Sequence, residues 1–208
     1  GIQRLRRRPA GNRLRIGQTI TTSDMTLTPR FSEALQYAVD LHSAQRRKIS
    51  GEPYLAHLLA TAAIVLEHGG DEDEAIAALL HDAVEDQGGR PTLKEIRRRF
   101  GERVAEIVAG CSDADRTPKP PWRERKEAHI ARLLGASASV RLVAAADKLH
   151  NAQSIARDYR RHGPAIWEKF HGGRQGTAWY YRAVVDALKQ AGDSPLIGEL
   201  DRAVLEIE

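Results

Sequence analysis

LLHDAVED, residues 79–86, places one histidine and three carboxylates beside leucines and alanines of the kind that fill a buried helix. Asp82, Glu85 and Asp86 stand at positions i, i+3 and i+4, so on one helix their carboxylates share a face. We expect them at the C-terminal end of that helix, where the helix dipole disfavours negative charge. A bound cation would compensate this charge. The alternative is a solvated helix end with no ligand.

Two more polar residues interrupt apolar stretches elsewhere in the chain. His57 lies within YLAHLLATAAIV, and Asp147 follows five consecutive apolar residues. A buried ionised carboxylate is costly unless it is paired or coordinated. Taken singly, His57 is typical of a core histidine and Asp147 of a buried salt bridge. With the HD pair they supply two imidazoles and two carboxylates, a set suited to one divalent metal: His57, His81, Asp82 and Asp147.

Helical spacing of apolar residues recurs from residue 30 to the end of the chain, interrupted by glycine and proline. Thr92 and Glu95 suggest a capping box at the start of one helix. No segment alternates with period two for long enough to require a sheet. The pattern therefore predicts one all-α domain over residues 30–208, built as a helical bundle.

Composition limits the possible classes of protein. The chain has 208 residues, 41% of them hydrophobic and 29% charged, which is ordinary for one globular domain. No apolar run approaches the roughly 20 residues of a membrane span, and the arginine-rich start lacks the apolar segment of a secretory signal. We therefore expect a cytoplasmic protein with no membrane partner. Cys111 is the one cysteine, so no intrachain disulfide can form.

The formal net charge of +4 is concentrated at the N-terminus. The first 24 residues hold six arginines and one aspartate, so the rest of the chain carries a formal charge of −1. We expect residues 1–29 to form a basic, flexible arm, and the segment before Met25 to be upstream sequence. The alternative is an arm that binds nucleic acid. Because the folded part is not basic, we expect no nucleic-acid partner.

Three sequence blocks carry a resemblance to a known family: AQRRKISGEPYLAH at 44–57, AALLHDAVED at 77–86 and AAADKLHNAQSI at 144–155. The order H…HD…D resembles the HD-domain metal-dependent phosphohydrolases. The surrounding residues resemble their RelA/SpoT-type alarmone hydrolases, above all the small, hydrolase-only members that include the metazoan SpoT homologue. The resemblance implies a single HD-domain helical bundle. It covers about residues 30–191.

The resemblance also implies a reaction and a set of roles. His57, His81, Asp82 and Asp147 would bind one divalent metal, usually Mn²⁺, and Glu85 and Asp86 would be the catalytic acidic pair. The implied reaction is hydrolysis of the 3′-pyrophosphate of ppGpp or pppGpp to pyrophosphate and GDP or GTP. The implied substrate contacts are Arg47, Lys48, Asn151, Arg174 and Tyr181.

Several alternatives stay open at this point. One is an HD-domain phosphatase for another nucleotide, and another is a nucleotide-binding module without turnover. The loop at 111–127 departs from the large bifunctional enzymes, which leaves the contacts to the 5′-phosphates open. The sequence does not indicate an oligomeric state. We expect the remaining histidines to be surface or packing residues: His42, His68, His129, His150, His162 and His171.

Overall fold

The computed structural model describes residues 26–112 and 120–208, and the described chain is helical. The helices are α1 Pro29–His42, α2 Leu55–Glu67, α3 Glu72–Leu80, α4 Ala83–Asp86, α5 Arg90–Phe100, α6 Glu102–Cys111, α7 Trp122–Gly135, α8 Ala138–His162, α9 Gly173–Ala191 and α10 Pro195–Leu205. A 3₁₀ helix, Gly163–Lys169, joins α8 to α9. Within the described residues the one β-type contact is an isolated antiparallel bridge between Arg46 and Pro53. The predicted all-α fold is confirmed.

Polar side chains fix where several helices begin. Asp71 accepts a hydrogen bond from the backbone of Glu74, and the Glu74 carboxylate accepts one from the backbone of Asp71, which makes a capping box for α3. The capping box predicted from Thr92 and Glu95 is wrong. Helix α5 begins earlier, at Arg90, and the hydroxyl of Thr92 donates to the carbonyl of Gln87 at 2.8 Å.

Helix α8 is the centre of the bundle. Its 25 residues pack against α2, α3, α6 and α10, and its alanines at 144–146 are almost fully buried. Small side chains there let the neighbouring helices approach closely. Asp147 comes directly after these alanines and is buried with them. The rest of α8 continues to the 3₁₀ helix.

One predicted helix is broken where the acidic cluster begins. Residues 71–86 form α3 and the single turn α4, with His81 and Asp82 between them. Successive residues of a continuous helix point about 100° apart, so the break is what lets both side chains meet at one point. The acidic residues therefore do not share one helix, since Asp82 follows the end of α3 and Glu85 and Asp86 lie on α4.

The predicted basic arm lies almost wholly outside the described residues, which begin at residue 26. Its flexibility stays a prediction. No helix in the described parts of the chain is long and apolar enough to cross a membrane.

Candidate metal centre and nucleotide cavity

Side chains from three segments converge on one buried point. The Nε2 atom of His57, from α2, lies 3.2 Å from Oδ1 of Asp147, on α8. The Nε2 atom of His81, just after α3, lies 3.6 Å from the same oxygen. These three side chains are close enough together to hold a single metal ion. Asp82 stands at the edge of the group, with Oδ2 2.9 Å from His81 Nε2 and 3.7 Å from His57 Nε2.

Both imidazoles present a ring nitrogen to this point without a hydrogen bond. The Nε2 atoms of His57 and His81 are buried, and no described residue is their hydrogen-bond partner. Nδ1 of His81 lies 2.8 Å from the carbonyl oxygen of Ala78, so Nδ1 carries a proton in either state of the ring, and Nε2 offers a lone pair to a metal once its own proton has left. Orphaned nitrogens beside carboxylate oxygens are the donor set of a transition-metal site, so the residues fit a divalent cation.

His57 is oriented in the same way by a second histidine. Its Nδ1 atom lies 2.7 Å from Nδ1 of His150, with the two rings 4.9 Å apart. A hydrogen bond between these nitrogens needs one donor and one acceptor. If His57 donates, its Nε2 keeps the lone pair that faces Asp147.

The electrostatics of the group favour binding of a cation. Burial alone would raise the pKa of Asp147, but Lys148 and the two histidines more than offset it and hold that pKa well below its usual range. Burial opposes the charged form of His81, yet the carboxylates of Asp82 and Asp147 raise its pKa well above the usual value. Burial lowers the pKa of His57. The group therefore holds two ionised carboxylates and a neutral His57, with the compensating proton on His81.

Neighbouring side chains fix the carboxylates. The hydroxyl of Tyr54 donates to Asp82 Oδ2 at 2.7 Å. Lys148 Nζ lies 2.6 Å from Asp147 Oδ2, and the amide of Asn151 donates to Asp147 Oδ1. Each carboxylate is thus held by a hydrogen-bond donor, as the ligands of a metal commonly are. Tyr54 and Asn151 donate to the oxygens that also face the histidines, and Lys148 contacts the other oxygen of Asp147.

The group opens on a cavity of about 560 Å³, which is within the usual size range for small-molecule sites. Its walls carry basic, acidic and aromatic side chains. One face of α8 forms a wall through Asp147, Asn151, Ser154, Ile155 and Asp158. The other lining residues that carry charge or aromatic rings are Arg46, Arg47, Lys48, Tyr54, Asp82, Glu85, Asp86, Trp122, Arg125, Lys126, Lys148, Phe170, His171 and Tyr181.

Glu85 and Asp86 line this cavity together with Asp82 and Asp147. The set of His57, His81, Asp82 and Asp147 is called the metal-type group below. Asp86 Oδ2 accepts a hydrogen bond from Gln45 at 2.7 Å. Burial, with the charge of Asp82, raises the pKa of Asp86. Glu85 Oε1 lies 3.9 Å from a guanidinium nitrogen of Arg125. Both predicted catalytic residues therefore face the space where a substrate would meet the metal.

Four of the five predicted substrate contacts line the cavity, and Arg174 does not. Arg47 donates to the side-chain oxygen of Asn151 at 2.8 Å. Lys48 is exposed, and Tyr181 is buried, with a pKa that burial raises to about 12. Arg174 is exposed on the first turn of α9 and donates to the main-chain oxygen of Glu208 at 3.0 Å.

The model of the HD domain matches residues 34–178 of the chain. The chain belongs to the HD-domain family. The match begins in α1 and ends in α9, so it contains all four predicted metal ligands and both predicted catalytic carboxylates.

Known relatives of this HD domain include small and large proteins. The guanosine-3′,5′-bis(diphosphate) 3′-pyrophosphohydrolase MESH1 of Xenopus tropicalis is 35% identical over 179 residues, which cover 84% of this chain and 92% of the relative. A probable guanosine-3′,5′-bis(diphosphate) 3′-pyrophosphohydrolase of Synechocystis is 37% identical over 67% of this chain, which is only 18% of that relative.

A solved structure gives the same result for the fold. It is that of a metazoan orthologue of SpoT that hydrolyses ppGpp. The two structures superpose with a TM-score of 0.72 at 30% sequence identity, over 86% of this chain and 96% of the other. The resemblance stated from sequence motifs is confirmed.

Sequence reasoning missed three residues of this HD domain. Tyr54 stands inside the block 44–57 but was not given a role, and its hydroxyl binds Asp82. His150 and His171 were expected to be surface or packing residues. His171 is exposed, as expected, but also lines the cavity, and His150 contacts His57. The spacing of His150, three residues after Asp147 on α8, was the available signal for the first of these.

Proposed function

We propose that this HD domain is a metal-dependent hydrolase that removes the 3′-pyrophosphate from ppGpp or pppGpp and leaves GDP or GTP. The observation that carries the proposal is the cluster of His57, His81 and Asp147, which reaches through Asp147 a cavity of nucleotide size that also holds lysine and arginine side chains. The names of the relatives support the choice of substrate, and the frog relative supports it most because the match spans 92% of its length.

We propose His57, His81, Asp82 and Asp147 as the ligands of one divalent metal, and Mn²⁺ as its identity. Mixed imidazole and carboxylate ligands suit such a cation. When bound, the metal ion would act as a Lewis acid and lower the pKa of a water molecule toward neutrality. The protein contributes a fixed geometry, since Tyr54 and Asn151 hold the two carboxylates in place.

Glu85 and Asp86 would orient the attacking water and accept its proton. Asp86 suits the role of proton acceptor because its pKa is raised. A general base is most effective when its pKa lies near the pH at which the enzyme works. Glu85 lies near Arg125, which can also approach phosphate oxygens from the same wall of the cavity. The water oxygen would attack the phosphorus bonded to the ribose 3′-oxygen, and the bond between that phosphorus and the 3′-oxygen would break. The 3′-oxygen would take the proton that the acidic pair accepted from water, which gives the 3′-hydroxyl of GDP or GTP and free pyrophosphate.

Arg47, Lys48, Asn151 and Tyr181 would hold the nucleotide. Arg47 is already fixed by Asn151, which in turn donates to Asp147, so the three side chains form a chain of hydrogen bonds from cavity wall to metal ligand. Lys48 is exposed and mobile enough to meet a phosphate as a point charge. Arg174 would take part only if its side chain left the carbonyl of Glu208.

Product identity tests the proposal. The purified full chain with Mn²⁺ should release intact pyrophosphate from ppGpp and leave GDP, with little orthophosphate from GMP or dAMP. Anion-exchange chromatography separates these products. Orthophosphate as the sole product, or turnover of another nucleotide and none of ppGpp, would favour a general HD phosphatase. Binding of ppGpp without turnover at any divalent metal would favour a binding module.

The matched substitutions Lys48→Ala and Arg46→Ala test the basic wall. Both residues are exposed and line the cavity. We expect the larger rise in KM for Lys48→Ala, because a contact made equally in ground and transition states appears in KM. Equal values for the two variants would remove Lys48 from the proposed contacts.

A further inference from the structure

Asp158 is a buried carboxylate with no hydrogen-bond or ion-pair partner among the residues that the structure describes. It lies on α8 and is 5% exposed. Its Oδ1 atom is buried without a hydrogen-bond partner, and no described residue forms an ion pair with it. A buried carboxylate that lacks both is destabilising in the free protein, since its lost hydration is not replaced. Such a residue is therefore well placed to gain a partner from a ligand.

The position of Asp158 within the cavity shows where such a ligand would lie. Asp147, Asn151, Ser154 and Asp158 recur every three or four residues along α8, and all four line the cavity. Asp158 follows Asp147 by 11 residues, which is roughly 16 Å along the helix at ~1.5 Å per residue. The metal-type group thus marks one end of this wall and Asp158 marks the other.

A nucleotide with its 3′-phosphate at the metal end would extend its base along this wall. The basic side chains Arg125 and Lys126 lie on α7, a different wall, and suit the remaining phosphates. Apolar contact near Asp158 comes from Ile155, which also lines the cavity. An apolar side chain beside a polar group that fixes orientation is the usual composition of a base-binding site.

We propose that Asp158 is a specificity-determining residue that reads the base, an inference that rests on the proposed function. An ionised carboxylate only accepts hydrogen bonds, and it has two oxygens to do so. Guanine presents two adjacent donors on one edge, the N1–H group and the exocyclic amine at C2. Adenine presents an unprotonated nitrogen and a C–H group at the same positions. Asp158 therefore accepts both donors of guanine and repels the corresponding edge of adenine.

Hypoxanthine distinguishes the contributions of the two hydrogen bonds to affinity. It keeps the N1–H group and lacks the amine at C2, so it makes one of the two contacts. Sites that hydrogen-bond a substrate group reject analogues without it strongly, because a buried polar group is then left unpaired. The order of affinity at Asp158 is guanine, then hypoxanthine, then adenine.

The test compares the full-length protein with Asp158→Asn. Asparagine keeps the size of the side chain, removes the charge and replaces one acceptor by a donor. The expected result is a fall in kcat/KM for ppGpp of at least about 100-fold, with unchanged or higher kcat/KM for the adenosine 3′,5′-bis(diphosphate). Asp186→Asn is the matched control, since Asp186 is an exposed aspartate on α9 and should leave both values unchanged.

Equilibrium binding of GDP, IDP and ADP separates this inference from the proposed function, because it requires no turnover. Wild-type protein should bind GDP at least about tenfold more tightly than IDP and IDP more tightly than ADP, and Asp158→Asn should abolish the order. That result supports the base contact even if ppGpp is not hydrolysed. Equal affinities in the wild type overturn it, whether or not the variant folds. A variant with a lower melting temperature and unchanged base preference also overturns it and makes Asp158 a structural residue.

Discussion

The phenolic oxygen of Tyr54 lies 2.7 Å from Oδ2 of Asp82, and that same carboxylate oxygen lies 2.9 Å from Nε2 of His81. Burial, with the charge of Asp82, raises the pKa of Tyr54, so its hydroxyl stays protonated and acts as the donor. The Tyr54 ring stacks on His42 at 5.5 Å and meets the edge of His57 at the same distance. Tyr54 therefore fixes both Asp82 and the packing around His57.

Tyr54→Phe should weaken metal binding while the protein stays folded. The substitution keeps the ring contacts and removes the hydrogen bond to Asp82, and loss of such a partner typically costs about 10- to 100-fold in metal affinity. Titration of metal-free protein with Mn²⁺ measures the effect. Tyr37→Phe is the control, because that tyrosine packs on Phe100 in another part of the bundle. Equal affinity of Tyr54→Phe and wild type would show that Asp82 needs no such support.

Asp147→Asn should lose bound metal and almost all activity. The amide is neutral, so the histidines would face a group with less negative charge, and Lys148 would lose its partner at 2.6 Å. Metal content after dialysis, measured by elemental analysis, gives the result independently of turnover. Asp40→Asn, on the exposed part of α1, should keep its metal. Full occupancy in Asp147→Asn would remove Asp147 from the ligand set.

Glu85→Gln should keep its metal and lose turnover by about 10²- to 10⁴-fold, the usual contribution of a positioned acid or base. The reason is that Glu85 lines the cavity but is not part of the compact group of His57, His81 and Asp147. Single-turnover kinetics and metal content, measured on the same sample, separate the two effects. Loss of metal along with activity would make Glu85 a ligand instead.

The fold could be predicted from sequence because its signals are local. Apolar spacing and acidic residues at a helix start mark α3, and the buried run before Asp147 marks α8. The break at His81 and Asp82 could not be predicted in this way. Continuous helical spacing runs through residues 71–86, and only the packing of α2 and α8 around the break makes the two side chains converge.

The residues of the candidate site could likewise be predicted only in part. His57, His81, Asp82 and Asp147 could be selected because each places a polar group in an apolar or acidic sequence context. Tyr54 and His150 have ordinary sequence contexts, and their contacts with Asp82 and His57 join distant segments. Asp158 stands out only through its burial in the cavity wall. Arg174 shows the reverse case: the resemblance implied a substrate contact, but its side chain does not line the cavity and donates to the main-chain oxygen of Glu208.

Gly172→Ala should destabilise the protein by about 1–3 kcal/mol, the usual cost of inserting a methyl group into a packed site. A Cβ atom at this position would lie 2.6 Å from the Trp122 ring, which also lines the cavity. Gly135→Ala is the control, because no atom lies within 4 Å of a Cβ there. Chemical denaturation of both variants measures the difference. Equal free energies of unfolding for the two variants would mean that the Trp122 ring moves to accommodate the methyl group without an energetic cost.

Metal binding should strengthen as pH rises through the neutral range and should release a proton. In the metal-free protein the carboxylates of Asp82 and Asp147 raise the pKa of His81, so His81 holds a proton that a metal must displace. Burial lowers the pKa of His57, so that histidine is already neutral and releases none. Below the raised pKa of His81 we therefore expect the release of about one proton per metal ion, measured by calorimetry in buffers of different ionisation enthalpy. In Tyr54→Phe the proton count should be the same although the affinity is lower, because the charges around His81 are unchanged. Affinity that does not vary with pH would mean that His81 is neutral before the metal binds, and that the positive charge between the two carboxylates comes from Lys148 alone.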